Sequence, residues 1–188
     1  MINRVILSIT FVILASLAQA STDPTLITRK EQPYVAIKTT VTIQELPAIV
    51  PKDLTQLYAW LEAHKLKPAG APFVRYVVVD MDKGLDIEIG VPVVKAVSGD
   101  SKVTSGVLPT GKYASLTYFG DYSGLKTPNA QIQKWGMDKG LTWKRQKTEH
   151  GEEWVGRLEV YKTDPNKEPD PSKWETEVLY LVDDAKKT

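Results

Sequence analysis

The chain has 188 residues, with 24 basic against 23 acidic side chains, a net charge of +1, no cysteine and two histidines. That length suits one domain with a proper core, and the balanced charge lacks the concentrated positive field that nucleic acid binding needs. Disulfides and thiolate metal sites are excluded, and His64 and His150 alone offer little for a structural zinc site or a His-based triad.

The first twenty residues, MINRVILSITFVILASLAQA, carry one charge, Arg4, then an apolar run, then Ala18-Gln19-Ala20. This is the pattern of a signal peptide, with cleavage expected after Ala20. The run is shorter than the roughly 20 residues that span a bilayer. The expectation is a mature chain without a stable membrane span, in the periplasm or secreted.

Residues 21–31 are polar and expected to be flexible. YVAIKTTVTI, from Tyr34, alternates and is rich in β-branched residues, so it reads as a strand. PKDLTQLYAWLEAHKL follows as a helix, with Pro51 in its first turn and Leu54, Leu57, Tyr58 and Leu61 on one face. FVRYVVVD and DIEIGVPV read as an antiparallel pair. The polar stretch SGDSKVTSG separates this half from the next. LPTGKYASLTYFG becomes a strand. TPNAQIQKWGMDKG is a second helix, with Thr127 as cap, Pro128 early and Gly140 as stop signal. Gly136 weakens that helix by about 1 kcal/mol relative to Ala. GRLEVYKTDP and WETEVLYLV are the last strands.

The two halves repeat. Each reads strand, helix, strand, strand, over about 32–97 and 107–183 within a domain of 32–188. Trp60 precedes Leu66 as Trp135 precedes Leu141, and on this register Tyr76 matches Tyr161 and Glu88 matches Glu177. The expected fold is α+β: one curved antiparallel sheet from the duplicated units, both helices on one face, and a ligand cleft on the other.

In RLEVY the period of two sends Leu158 and Val160 to one face and Glu159 and Tyr161 to the other. If Leu158 and Val160 pack under the helices, Glu159 and Tyr161 face the open side. Glu88 likewise stands opposite a buried row of Ile87, Ile89, Val91 and Val93. Tyr76, Tyr118, Tyr122, Trp143, Trp154 and Trp174 are available as aromatic walls. A carboxylate among such rings suits a cationic or amphipathic ligand, each ring adding about 0.5–2 kcal/mol. The same pattern also fits plain solvated strand acids. Leu179 and Leu181 share the face of Glu177, so that acid is partly buried or at an edge.

Across YVAIKTTVTIQELP, AGAPFVRY, DIEIGVPV, VLPTGKYASLTYFGDYSGL, WGMDKGL, LEVYKTDP and WETEVLYLV the sequence resembles the GyrI-like small-molecule-binding domain, also called the AraC-type effector-binding domain. The order and spacing fit from about Lys30 to Val182. The resemblance implies a duplicated fold with a central cleft for hydrophobic, often cationic, compounds, of the multidrug-binding kind, and no cofactor. It implies that the buried acid is Glu159. Some stand-alone members are hydrolases of cyclopropane-containing alkylating natural products, for which Glu159 would be the first catalytic candidate and Glu177 the second. The chain departs from the better-known members in lacking a helix-turn-helix segment and in carrying an export signal.

Three functions therefore compete: a binding module for a small molecule, a hydrolase using Glu159 with Glu88 or Glu177, and an interaction domain whose cleft is filled by Trp143, Trp154 or Trp174. The binding module is favoured, because no nucleophile–base pair is visible. Its ligand-binding set is Glu159, Tyr161, Glu177, Glu88, Tyr76, Tyr118, Trp143 and Trp154, with no metal.

Overall fold

The computed structural model describes residues 20–80 and 82–184. Along the chain run β1 (Ala20–Ser21), β2 (Thr25–Arg29), β3 (Gln32–Val41), α1 (Leu46–Ala63), β4 (Phe73–Asp80), β5 (Gly84–Pro92), β6 (Thr104–Leu108) and β7 (Gly111–Phe119). Then come α2 (Lys126–Asp138), β8 (Arg145–Thr148), β9 (Gly151–Trp154), β10 (Arg157–Tyr161) and β11 (Glu175–Leu181). The expected signal peptide lies, except for Ala20, outside the described residues.

The strands form one antiparallel sheet whose main order is β1-β7-β11-β10-β4-β5-β3-β6. The repeat is written into that order. β4-β5-β3 runs outward one way and β10-β11-β7 the other, about a pseudo-twofold axis between β10 and β4. The register that matches Tyr76 with Tyr161 also matches Val74 with Glu159. Those two residues are cross-strand partners, so Glu159 stands on the axis itself.

β6 and β7 lie near opposite ends of the order, yet only Pro109 and Thr110 separate them. Three Cα–Cα steps keep Leu108 and Gly111 within about 11 Å. The sheet must therefore curl almost into a barrel. β2, on the edge of β7, reaches β3 through Lys30 and Glu31 in the same way.

Inside the curl lies a core drawn from both ends of the sheet: Tyr34, Ala36, Phe73, Tyr113, Leu158, Val160, Leu179 and Leu181. The helices cover the outside. α1 sets Leu57 and Leu61 on Val35, Val91 and Val93. α2 sets Ile132 on Ala114, Leu116, Val178 and Tyr180.

This arrangement corrects one expectation. The period of two in β10 holds, but with its faces exchanged. Leu158 and Val160 point into the curl, and Glu159 and Tyr161 point toward the helices. The cleft lies on the helix face, between α1 and α2, because the other face is closed by the sheet's own curvature.

Other differences have local causes. The 21–31 segment, expected to be flexible, forms β2, paired along β7, with Ile27 packed on the inner core. α1 begins five residues before Pro51, because Leu46, Ile49 and Val50 continue its apolar face onto β4 and β5. α2 begins at Lys126 with no side-chain cap from Thr127. Gly140 does stop the helix, with φ of 66°. A Cβ on Gly136 would collide with the Trp143 ring, so the glycine that weakens α2 also admits that tryptophan.

Candidate ligand-binding site

The cleft between the helices has a volume of about 2380 Å³, well above the roughly 300–1,000 Å³ of ordinary ligand pockets. It is an open groove with room for a bulky guest. α1 contributes Val50, Leu54 and Tyr58, and α2 contributes Asn129, Gln133 and Met137. The floor is Tyr76, Arg157, Glu159 and Tyr161. Tyr161, Tyr122 and Trp174 form a continuous aromatic run, with ring centroids 5.0 and 4.7 Å apart. Trp143 walls the other end. No tryptophan fills the concavity.

Glu159 is buried, with 5% of its surface exposed. Its Oε1 accepts a hydrogen bond from Asn129 Nδ2 at 2.7 Å, and its Oε2 accepts from the Tyr76 hydroxyl at 2.9 Å. The Tyr161 hydroxyl approaches the same oxygen at 3.4 Å. Asn129 is itself held, because Tyr180 donates to its Oδ1 at 2.8 Å and Gln133 donates to the Tyr180 hydroxyl at 3.1 Å. Burial pushes the Glu159 carboxyl above its ordinary value, against the pull of Asn129, Tyr76, Arg157 and Tyr161. Burial also raises Tyr76 and Tyr161 well above the usual phenol range, with the nearby Glu159 charge adding to it.

The structure brings together Glu159, Tyr161, Tyr76 and Trp143 of the expected set. It separates the others. Tyr118 is buried beneath α2, donating to the Asp121 carbonyl, and Trp154 is buried edge-on against Tyr180. Neither lines the cleft. Glu88 and Glu177 sit on the inner face, as their register with Arg75 and Val160 requires. Glu88 accepts from Tyr34 and Arg75 and pairs with Lys38. Glu177 pairs with Arg29 at 2.7 Å and Lys162 at 2.9 Å, and accepts from Ser115. Burial works to raise both acids, but these partners hold both below the usual carboxylate range. They are committed to internal ion pairs.

The sequence reading missed Asn129, Tyr180 and Arg157. Arg157 was legible, since the period of two that joins Glu159 to Tyr161 also includes it. Among the described residues no group of three or more His, Asp or Glu side chains could hold a metal ion, and no helix is long and apolar enough to cross a membrane.

The fold is similar to several solved structures. The EcmrR C-terminal domain shares 15% identity at a TM-score of 0.63, over 88% of this chain and 98% of that one. In the EcmrR–DNA complex the likeness has a TM-score of 0.68 at 15% identity and covers 87% of this chain, which spans 57% of the EcmrR chain there. SAV2435 bound to tetraphenylphosphonium shares 14% identity at 0.56, over 87% and 95%. A hydrolase from Listeria innocua shares 15% at 0.58, over 86% and 92%. No curated protein matches the chain. The family model for the GyrI-like small molecule binding domain matches residues 22–182. That span takes in both repeats and the cleft between them, and the chain belongs to this family.

Proposed function

We propose that the protein is an exported binding domain that senses or sequesters a hydrophobic or amphipathic small molecule carrying positive charge. The observation that carries this reading is Glu159, a buried carboxylate on the pseudo-twofold axis, at the floor of a wide aromatic cleft. Its three donors orient it without neutralising it. A cation placed over it gains the carboxylate's field in a low-dielectric site and the quadrupoles of the surrounding rings. The apolar groups left exposed near the groove, Ile43, Tyr58 and Met137, suit a guest with a large greasy body. SAV2435, alike in fold, is known bound to tetraphenylphosphonium. Export rests on the composition of residues 1–20, and recovery of a periplasmic chain beginning at Ser21 would support it.

Calorimetry with tetraphenylphosphonium tests the binding role. The wild-type chain should bind it, and Glu159→Gln should weaken binding at least about thirtyfold, as loss of one partner of a buried charge pair does. Equal affinities would remove Glu159 from the site.

A hydrolase is the second reading, favoured by the burial of Glu159 at the cleft floor, which raises its carboxyl above the ordinary value and so toward the range of a general acid. Glu88 and Glu177, the expected second acids, are on the wrong face for it. Incubation with a cyclopropane-type alkylator decides the matter. Turnover no faster than that of Glu159→Gln would end this reading.

A further inference from the structure

Arg157 lies on the cleft floor two residues from Glu159, on the same face of β10. Its guanidinium sits over three rings, 4.9 Å from the centroid of Tyr76, 5.2 Å from Trp154 and 5.3 Å from Tyr180. The place where a cage of rings would receive a ligand's cation is thus already filled by the protein's own. Among the described residues no carboxylate hydrogen-bonds to Arg157, although its charge is felt by the Glu159 carboxyl, and its buried Nε has no hydrogen-bond partner. Arg29 and Arg75 leave Nε unpartnered too, but their Nη groups donate to Glu177 and Glu88, whereas among the described residues no hydrogen bond engages the Arg157 guanidinium. A guanidinium is the side chain best shaped to take a carboxylate through two parallel hydrogen bonds. Of the six cationic side chains in the wider lining, Lys134, Arg145, Lys162 and Lys167 are paired with carboxylates, which sets Arg157 apart from them.

We propose that Arg157 is a second polar anchor that sets specificity, so that the cleft prefers a zwitterion over a simple organic cation. The ligand's positive centre would face Glu159 and its carboxylate would take the Arg157 fork. The two side chains leave the strand about 7 Å apart, so the ligand's charges must be separated by several bonds on a rigid aromatic body. This deepens the binding reading given above and rests on it.

A matched pair of probes tests it by fluorescence anisotropy: rhodamine B, with a free carboxylate, and its ethyl ester, a cation of nearly the same shape. The wild-type protein should bind the acid at least about tenfold more tightly than the ester, the yield of a charge-assisted bidentate contact. Arg157→Met keeps an unbranched apolar stem on the rings and should erase the preference. Arg157→Lys keeps the charge without the fork and should retain only part of it. Glu159→Gln should weaken both probes. Wild-type binding of the ester as tightly as the acid overturns the role of Arg157 and leaves the binding reading intact. A preference that survives in Arg157→Met overturns it too. Binding of neither probe overturns both.

Discussion

Glu159→Gln should make the empty protein more stable, even as it weakens the binding of a cation. The Glu159 carboxyl is raised above its ordinary value of 4.5 by burial. An acid raised on folding contributes fully below the unfolded value, and that contribution is lost as pH rises through the folded value. At neutral pH the wild-type chain therefore carries the cost of an enclosed charge. Buried ion pairs replaced by neutral groups of like volume gain up to about 1–4 kcal/mol, and neutralising one enclosed carboxylate acts in the same direction. Asn129, Tyr76 and Tyr161 already compensate part of the cost, which places the gain at the lower end, about 1–2 kcal/mol, or a Tm rise of about 2–8 °C. Urea unfolding of both proteins at pH 7.5 and pH 4 measures it. The gain should be present at pH 7.5 and shrink by pH 4, as pH falls below the ordinary carboxylate value and Glu159 takes up its proton in the folded and the unfolded chain. Cation affinity of the wild type should run the other way, falling as pH drops through the same titration. A variant less stable than wild type at pH 7.5, or a gain that does not change with pH, would refute the reasoning.

Four further outcomes are expected. Asn129→Ala should cost about 1–3 kcal/mol, because it strips a donor from Glu159 and an acceptor from Tyr180; it should also move the pH dependence of cation binding upward, read by calorimetry across pH. Gly136→Ala should cost about 1–3 kcal/mol by overpacking and shift the tryptophan emission, since the new methyl collides with Trp143. Glu177→Gln should lower stability by about 2 kcal/mol, from a pair with two partly exposed cations, and leave tetraphenylphosphonium affinity unchanged. Because Glu177 and Glu88 are held below their ordinary values, their stabilisation is present above about pH 4.5 and lost as pH falls through the folded values, so acid unfolding should begin there.

The elements were legible where a single residue pattern governs them. FVRYVVVD is β4 to the residue, and the Trp–Leu spacing of the two helices revealed a duplication that the strand order confirms. The period of two grouped Glu159 with Tyr161 correctly. It could not say which face met the helices, because in a curled sheet both faces are buried and Leu158 and Val160 look equally at home on either. The closed inner face also misplaced Glu88 and Glu177 relative to the cleft, and their burial is sustained by Arg75 on β4, Arg29 on β2 and Lys162 just after β10. β8 and β9 went unseen because RQKT and GEEW are short and mostly polar, without the apolar alternation that marks a strand. Asn129 was hidden because it is polar: it shares the buried face of α2 with Ile132 and Gly136 at i, i+3 and i+7, but an amide on that face gives no apolar signal.

The position of Glu159 has a consequence for how such a duplicated protein can diverge. At the axis, each residue faces its own copy. Had both halves kept an acid there, residues 74 and 159 would set two carboxylates directly across a strand pair, about 4.5–5.5 Å apart at their Cβ atoms. Like charges so close do not both ionise, and one would remain a proton carrier rather than a fixed charge. Val74 opposite Glu159 removes that conflict. A scaffold with two equal halves can thus hold only one permanent charge at its centre, and holding it makes the halves unequal. The guest inherits that inequality: of the two ways it could lie across a symmetric floor, only one puts its positive end over the acid.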